Sequence, residues 1–216
     1  MLSTLSAPET QIAYFKGIRH DASRLDEARD GFLQLLSKTS NADQKIEIYR
    51  NLSKIAVRQG NINQARQYLD SGEQLLDPIS MTDSVCLFKI YQAEFYHYHS
   101  PSQRFYQYYV DILNHTDARS YFRAKALVGL GNARYVGHGK RSNVDWYLEV
   151  LEMLGVEHST KAQALVGLGN ARYVGHGRGA GEDWYLEVLD MPGVENSIKA
   201  QALVGLGNAR YVGHGR

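Results

Sequence analysis

"ALVGLGNARYVGHG" occupies Ala126–Gly139, and the same fourteen residues return at Ala164–Gly177 and Ala202–Gly215. The period is 38 residues, and Arg123–Thr160 matches Lys161–Ile198 at 27 of those 38 positions. The differences gather in Lys140–Val144 against Arg178–Glu182, and near the end of the segment that follows. Self-similarity at this period marks a stacked array, in which one unit cannot bury its own apolar face and needs its neighbour.

Each unit reads as helix, loop, helix. Ser159 and Ser197 are good N-caps for the first helix, because a hydroxyl can accept from a free N–H of the opening turn. That helix is expected to run through "KAQALVGLGNARYV" and stop at Gly-His-Gly, where glycine relieves left-handed cap geometry. The second helix is "DWYLEVLEML", with Tyr147, Val150, Leu151 and Leu154 at helical spacing. Pro192 is expected to end the corresponding helix sooner. Gly129 and Gly131, repeated at Gly167 and Gly169 and at Gly205 and Gly207, fall inside the first helix. Each costs about 1 kcal/mol against Ala, so a small surface for close approach of a neighbouring helix is implied.

"LGNARYVGHG" followed by "DWYLEVLE" resembles a tetratricopeptide-type repeat, and particularly its Sel1-like relative. The matching residues are Leu130–Gly131, Tyr135, Gly137–Gly139 and Trp146–Tyr147, then Leu168–Gly169, Tyr173, Gly175–Gly177 and Trp184–Tyr185. Where that family places a small Ala pair after Trp-Tyr, this chain has Val150 and Leu151. The N-terminal half carries a more divergent form. "GNINQARQYLDSGEQLLDP" (Gly60–Pro78) resembles an ordinary tetratricopeptide second helix, with Ala65 as its small contact residue. Tyr49, Leu52 and Ala56 precede it where first-helix contacts belong. "SRLDEARDGFLQLL" (Ser23–Leu36) repeats the pattern around Ala28, after a first helix at about Glu9–His20. Ser84–Asn114, broken by Pro101, is expected to form a third, degenerate pair. The resemblance implies an all-α, right-handed α-solenoid of stacked helix pairs. Residues 1–118 would hold about three divergent pairs, and 119–216 the near-identical repeats with a lone final helix.

The bulk chemistry excludes several classes. A net charge of +1 argues against a dedicated nucleic-acid binder. Cys86 is alone, so no intrachain disulfide framework exists. The N-terminus lacks the basic and apolar regions of a targeting peptide, and no apolar run is long enough to span a membrane. A cytoplasmic location is expected. "GLGNAR" lacks the third glycine of a dinucleotide loop and lies in a helical pattern. His138, His176 and His214 fall in equivalent loops roughly 10 Å apart along an array, too far to share one metal ion at about 2 Å. His97 and His99 flank Tyr98 with no third ligand evident. No catalytic constellation, cofactor site or metal site is predicted, and the chain is expected not to be an enzyme.

Binding residues are the remaining candidates. In tetratricopeptide relatives the first helix lines the ligand groove, and an Asn after Leu-Gly bonds the ligand backbone. The matching residues are Asn132, Asn170 and Asn208. An amide both donates and accepts, so it can pair with any peptide. Helical geometry puts Val128 and Tyr135 on the same face, with Val166 and Tyr173, then Val204 and Tyr211. The alternative is that duplication copied these residues without selection for binding. Arg50, Lys54 and Arg58 form a basic stripe, which relatives use for an acidic peptide or terminal carboxylate; a solvated face is the alternative. In the aromatic block, Tyr91, Phe95 and Tyr98, and Phe105, Tyr109 and Ile112, are expected in the core. Tyr96, Tyr106 and Tyr108 lie off those stripes, as interface candidates.

The sequence ends half a unit into the third copy. That copy's first helix is expected to keep an apolar outer face, covered by a partner or by a homo-oligomer contact, unless the sequence is cut from a longer array. The function expected is a non-enzymatic protein–protein interaction module, an adaptor, chaperone or regulatory subunit holding a peptide in a concave groove. A peptide-sensing regulator that changes curvature is the alternative. Neither needs nucleic acid or a membrane.

Overall fold

The computed structural model describes residues 7–77, 80–99, 105–115, 118–135, 139–140, 142–172 and 181–213, with side chains to residue 210. Among them the chain is all-α. The helices are α1 (Pro8–Ile18), α2 (Leu25–Lys38), α3 (Ala42–Arg58), α4 (Ile62–Glu73), α5 (Asp83–His99), α6 (Phe105–Asn114), α7 (Ser120–Asn132), α8 (Asn143–Glu152), α9 (His158–Asn170), α10 (Glu182–Asp190) and α11 (Asn196–Gly213). They form two compact units, Met1–Ser100 and Pro101–Arg216. No helix among the described residues is long and apolar enough to cross a membrane.

In the first unit α1 packs on α2, α2 on α3, and α3 on both α4 and α5. One core gathers Ile12, Phe15, Phe32, Leu52 and Ile55. A second gathers Ile46, Leu69, Val85, Phe88 and Phe95. Ala28 and Ala65 are fully buried, as small contact residues should be. Gly60 turns the chain between α3 and α4 at φ +77°, a conformation that costs a side chain roughly 1–2 kcal/mol. Asn61 then caps α4 by accepting from the Gln64 N–H.

In the second unit α6 packs on α7, α7 on α8 and α9, and α9 on α8, α10 and α11; α10 also packs on α11. The glycine pairs explain this packing. A Cβ at Gly131 would lie 2.5 Å from the Tyr147 ring of α8, and one at Gly167 of α9 would meet the same ring. Tyr185 of α10 fits Gly169 and Gly205 in the same way, and Tyr109 of α6 fits Gly129. The small surface therefore receives an aromatic ring rather than a neighbouring backbone. The first unit uses the device with phenylalanine: Phe15 fills the space at Gly31, and Phe88 the space at Gly72.

Helix ends differ from the sequence expectation. α7 and α9 stop at Asn132 and Asn170, well before Gly-His-Gly. The left-handed position is taken by Arg134 and Arg172, both at φ 52°. The Arg134 N–H donates to Gly131 O and the Tyr135 N–H to Leu130 O, a Schellman ending without glycine. The Trp146 indole holds it there, donating to the Tyr135 carbonyl at 2.7 Å. The same letters continue as helix to Gly213 in α11. The two tryptophans of the chain follow only the first two copies. α8 and α10 end at equivalent residues, so Pro192 does not shorten the second copy; Gly155 and Gly193 turn both copies at φ 70° and 69°. Leu154 lies beyond α8 and is 91% exposed, not on its buried stripe.

The aromatic block forms two helices, but α5 packs on α3 in one unit and α6 on α7 in the other. Phe95, Tyr109 and Ile112 are buried as expected, whereas Tyr98 is 77% exposed. It lies past the end of the α5 surface that Phe88 and Phe95 bury.

The sockets give a paired expectation. Gly131→Ala gains about 1 kcal/mol of helix propensity but drives a Cβ into the Tyr147 ring, for a net loss of roughly 1–3 kcal/mol. Gly207→Ala meets nothing within 4 Å, so only the gain of about 1 kcal/mol remains. Urea denaturation of both variants should return opposite signs.

Candidate functional site

The repeat face is built from helix geometry outward. Asn132 and Asn170 are exposed at the ends of α7 and α9. Each accepts a 2.8 Å hydrogen bond at Oδ1, Asn132 from the Tyr147 hydroxyl and Asn170 from the Tyr185 hydroxyl. The acceptor half of each amide is therefore engaged inside the chain. Burial pushes the Tyr147 phenol up to about 12, and Tyr185 in the same direction. Val128 and Val166 are largely buried, at 5% and 6% exposure, although Val166 still lines the groove described next; Val204 is open, at 65%. Asn170, Val204 and Asn208 line an open groove of about 400 Å³ between α9 and α11.

Tyr135 does not stand free on this face. Its ring stacks on Tyr106 at 4.3 Å and on Trp146 at 6.1 Å between centroids. Tyr106 is thereby explained as a stacking partner inside the second unit. Tyr96 donates to Asp70 at 3.2 Å. Tyr173, His138, His176 and His214, and the side chain of Tyr211, lie outside the described residues. His99 rests its ring 5.0 Å from Phe95. No cluster of three or more metal-ligating side chains occurs among the described residues.

The basic stripe of α3 is resolved into three different roles. Arg58 caps α1, donating from Nη1 to Arg19 O at 2.9 Å and from Nη2 to His20 O at 3.0 Å. Arg50 is only 6% exposed and sits 3.7 Å from Glu47. Glu47 also pairs with Lys16 of α1 at 2.8 Å. Lys54 places its ammonium 4.9 Å from the centre of the Tyr91 ring of α5. Arg19, the C-cap residue that follows α1, completes the group. Arg50 Nε and Arg19 Nη1 are buried with no hydrogen-bond partner among the described residues.

Charge in this cluster is unbalanced. Burial first, then Arg50 and Arg19, pull the Lys54 ammonium down to about 8, with Glu94 opposing. Burial likewise lowers Arg50, against the pull of Glu47. His20, at the solvent edge, is lowered chiefly by Arg19. Arginine stays charged regardless, so the guanidinium groups keep their donors aimed into a positive field. Such a field favours an incoming anion, and a carboxylate is the natural acceptor for unpaired guanidinium N–H groups. Sequence reasoning named Arg50 and Lys54 but missed Lys16, Arg19 and Tyr91, which arrive from α1 and α5. The basic pair Lys16 and Arg19 at the end of α1 was the available signal.

No family model, no curated protein and no solved structure matches this chain.

The tyrosine–asparagine bond can be measured. Tyr147→Phe and Asn132→Ala, combined in a double-mutant cycle, should show a coupling of about 0.5–1.5 kcal/mol. The raised Tyr147 phenol adds a pH signature: its contribution to stability is full below pH 10 and lost as pH climbs through about 12. Alkaline unfolding of Tyr147→Phe should lack that loss.

Proposed function

We propose that this chain is a non-enzymatic interaction module, a cytoplasmic adaptor, chaperone or regulatory subunit that holds an acidic segment of a partner protein. Its helix pairs would stack as a right-handed solenoid of the tetratricopeptide and Sel1-like kind. The basic face of α1, α3 and α5 would be the principal contact. The row of Asn132, Asn170 and Asn208 would be a second one, donating from its amide nitrogens.

One observation carries this reading. Arg50 and Arg19 each bury a donor atom without a partner among the described residues, beside a Lys54 that burial, with the help of these two guanidinium groups, lowers to about 8. Unsatisfied buried donors cost about 1–3 kcal/mol each. A fold tolerates that more readily where a ligand supplies the missing acceptors. A carboxylate presented by an extended chain fits the donors, and Tyr91 offers its ring beside them.

Lys54→Met tests the reading because stability and binding should move in opposite directions. The folded pKa of Lys54 lies below its ordinary 10.5. The unfolded chain therefore binds more protons, and stability rises with pH between about 8 and 10.5. Below pH 8 the protonated lysine is a full penalty, so Lys54→Met should melt higher than wild type at pH 7. That difference should fade as pH rises toward 10.5. A labelled hexaglutamate peptide should bind wild type with an affinity that falls with added salt, and bind Lys54→Met at least about tenfold more weakly. Equal binding by both proteins would sink the acidic-segment reading.

A further inference from the structure

The three copies provide an internal control for the face that α11 turns outward. Where α8 and α9 pack on α7, Leu127 is 1% exposed and Val128 is 5% exposed. Where α10 and α11 pack on α9, Leu165 and Val166 are 1% and 6% exposed. In α11 the equivalent Leu203 and Val204 are 57% and 65% exposed. Gly131 and Gly169 each receive a tyrosine ring, whereas a Cβ at Gly207 would meet nothing within 4 Å. Asn132 and Asn170 each accept a tyrosine hydroxyl. Asn208 is exposed, and no described tyrosine hydroxyl stands where Tyr147 and Tyr185 stand for its equivalents. Inward, α11 is docked like its counterparts: Gly205 grips Tyr185 and Leu206 is 7% exposed.

We infer that the outward face of α11 is a receptor for one kind of occupant. That occupant is a partner segment built as an amphipathic helix of the Asp-Trp-Tyr-Leu-Glu-Val-Leu type followed by a helix of the Ala-Leu-Val-Gly-Leu-Gly type. Continuity with the interfaces already in the molecule dictates the choice. The same residues at the same helical positions accept α8 and α9 on α7, and α10 and α11 on α9. The tyrosine ring enters the space above Gly207. Its hydroxyl donates to Asn208 Oδ1, and the trailing helix covers Val204. A peptide lacking the ring leaves the socket empty, and one lacking the hydroxyl leaves the asparagine unengaged. Specificity therefore rests on a single tyrosine.

The probe is a synthetic peptide of residues 143–172, which holds α8 and α9 as a pair, added to the full chain. Amide hydrogen exchange should slow at residues 203–210, and titration calorimetry should give a saturable isotherm. The same peptide with Tyr147→Ala should bind at least about tenfold more weakly. Gly207→Leu in the full chain fills the socket from within. A Cβ there meets nothing within 4 Å in the free protein, so the variant should abolish binding without lowering the melting temperature. Asn208→Ala gives a second variant that leaves the helix intact and weakens only the hydroxyl contact. Equal binding by the Tyr147→Ala peptide would overturn the inference. So would no protection of residues 203–210 at about 1 mM peptide, a concentration that detects even weak docking. Protection of that segment by raising the concentration of the protein alone would assign the face to a second copy instead. Hexaglutamate binding at α1, α3 and α5 is read on a different unit, so neither result prejudges the other.

Discussion

A tyrosine ring lodged between two glycines holds the second unit together. Tyr147 touches Gly131 of α7 and Gly167 of α9 at once, so one side chain sets the distance between two consecutive first helices. Tyr185 repeats the arrangement one unit on. Glycine in a helix costs about 1 kcal/mol relative to alanine, whereas burying a large aromatic side chain contributes roughly 1.5–3 kcal/mol. The exchange favours the ring. The hydroxyl then fixes the ring along the helix axis through Asn132 or Asn170. The first unit keeps the ring and omits the hydroxyl, with Phe15 on Gly31 and Phe88 on Gly72.

The charged face of the first unit follows the opposite logic. There the side chains satisfy one another only in part, with Arg50 Nε and Arg19 Nη1 left over among the described residues. Lys16, Arg19, Arg50 and Lys54 converge on few carboxylates, and Glu47 is shared between Lys16 and Arg50. Removing one partner of a buried charge pair is strongly destabilising because the remaining charge is left unpaired. A cluster already in surplus behaves as though its missing partner had been removed. Burial, Arg50 and Arg19 together lower the Lys54 ammonium to about 8, and burial lowers Arg50 as well.

Much of the helical content was legible because apolar spacing survives in α2, α3, α4, α8 and α10. The role of the glycines was half legible: two per helix announced a close approach, but the spacing could not say that a ring would fill it. Helix ends were the least legible. Gly-His-Gly offered two glycines as stopping residues, yet Arg134 and Arg172 took the left-handed position, and at Arg134 the Trp146 indole reaches the following carbonyl from eleven residues downstream. A contact of that kind is tertiary and leaves no local mark. The basic stripe shows the same limit. Arg58 looked equivalent to Arg50 and Lys54 on a helical wheel, but the end of α1 lies beside it and takes its donors. Tyr135 looked like a groove residue until Tyr106 arrived from another helix to stack on it.

The near-identity of the sockets also affects how reliably the chain reaches one folded form. Tyr147 and Tyr185 present the same ring and hydroxyl, and Gly131 and Gly169 receive them with the same geometry. Side-chain chemistry alone thus barely separates correct docking from docking displaced by one whole unit. Discrimination falls to connectivity: a second helix joined through Lys140–Val144 reaches its own first helix long before it can reach the next. Fidelity of assembly is therefore encoded in loop length rather than in the interface. The loops, which vary most between the copies, act as the register marks of a structure whose contacts are interchangeable.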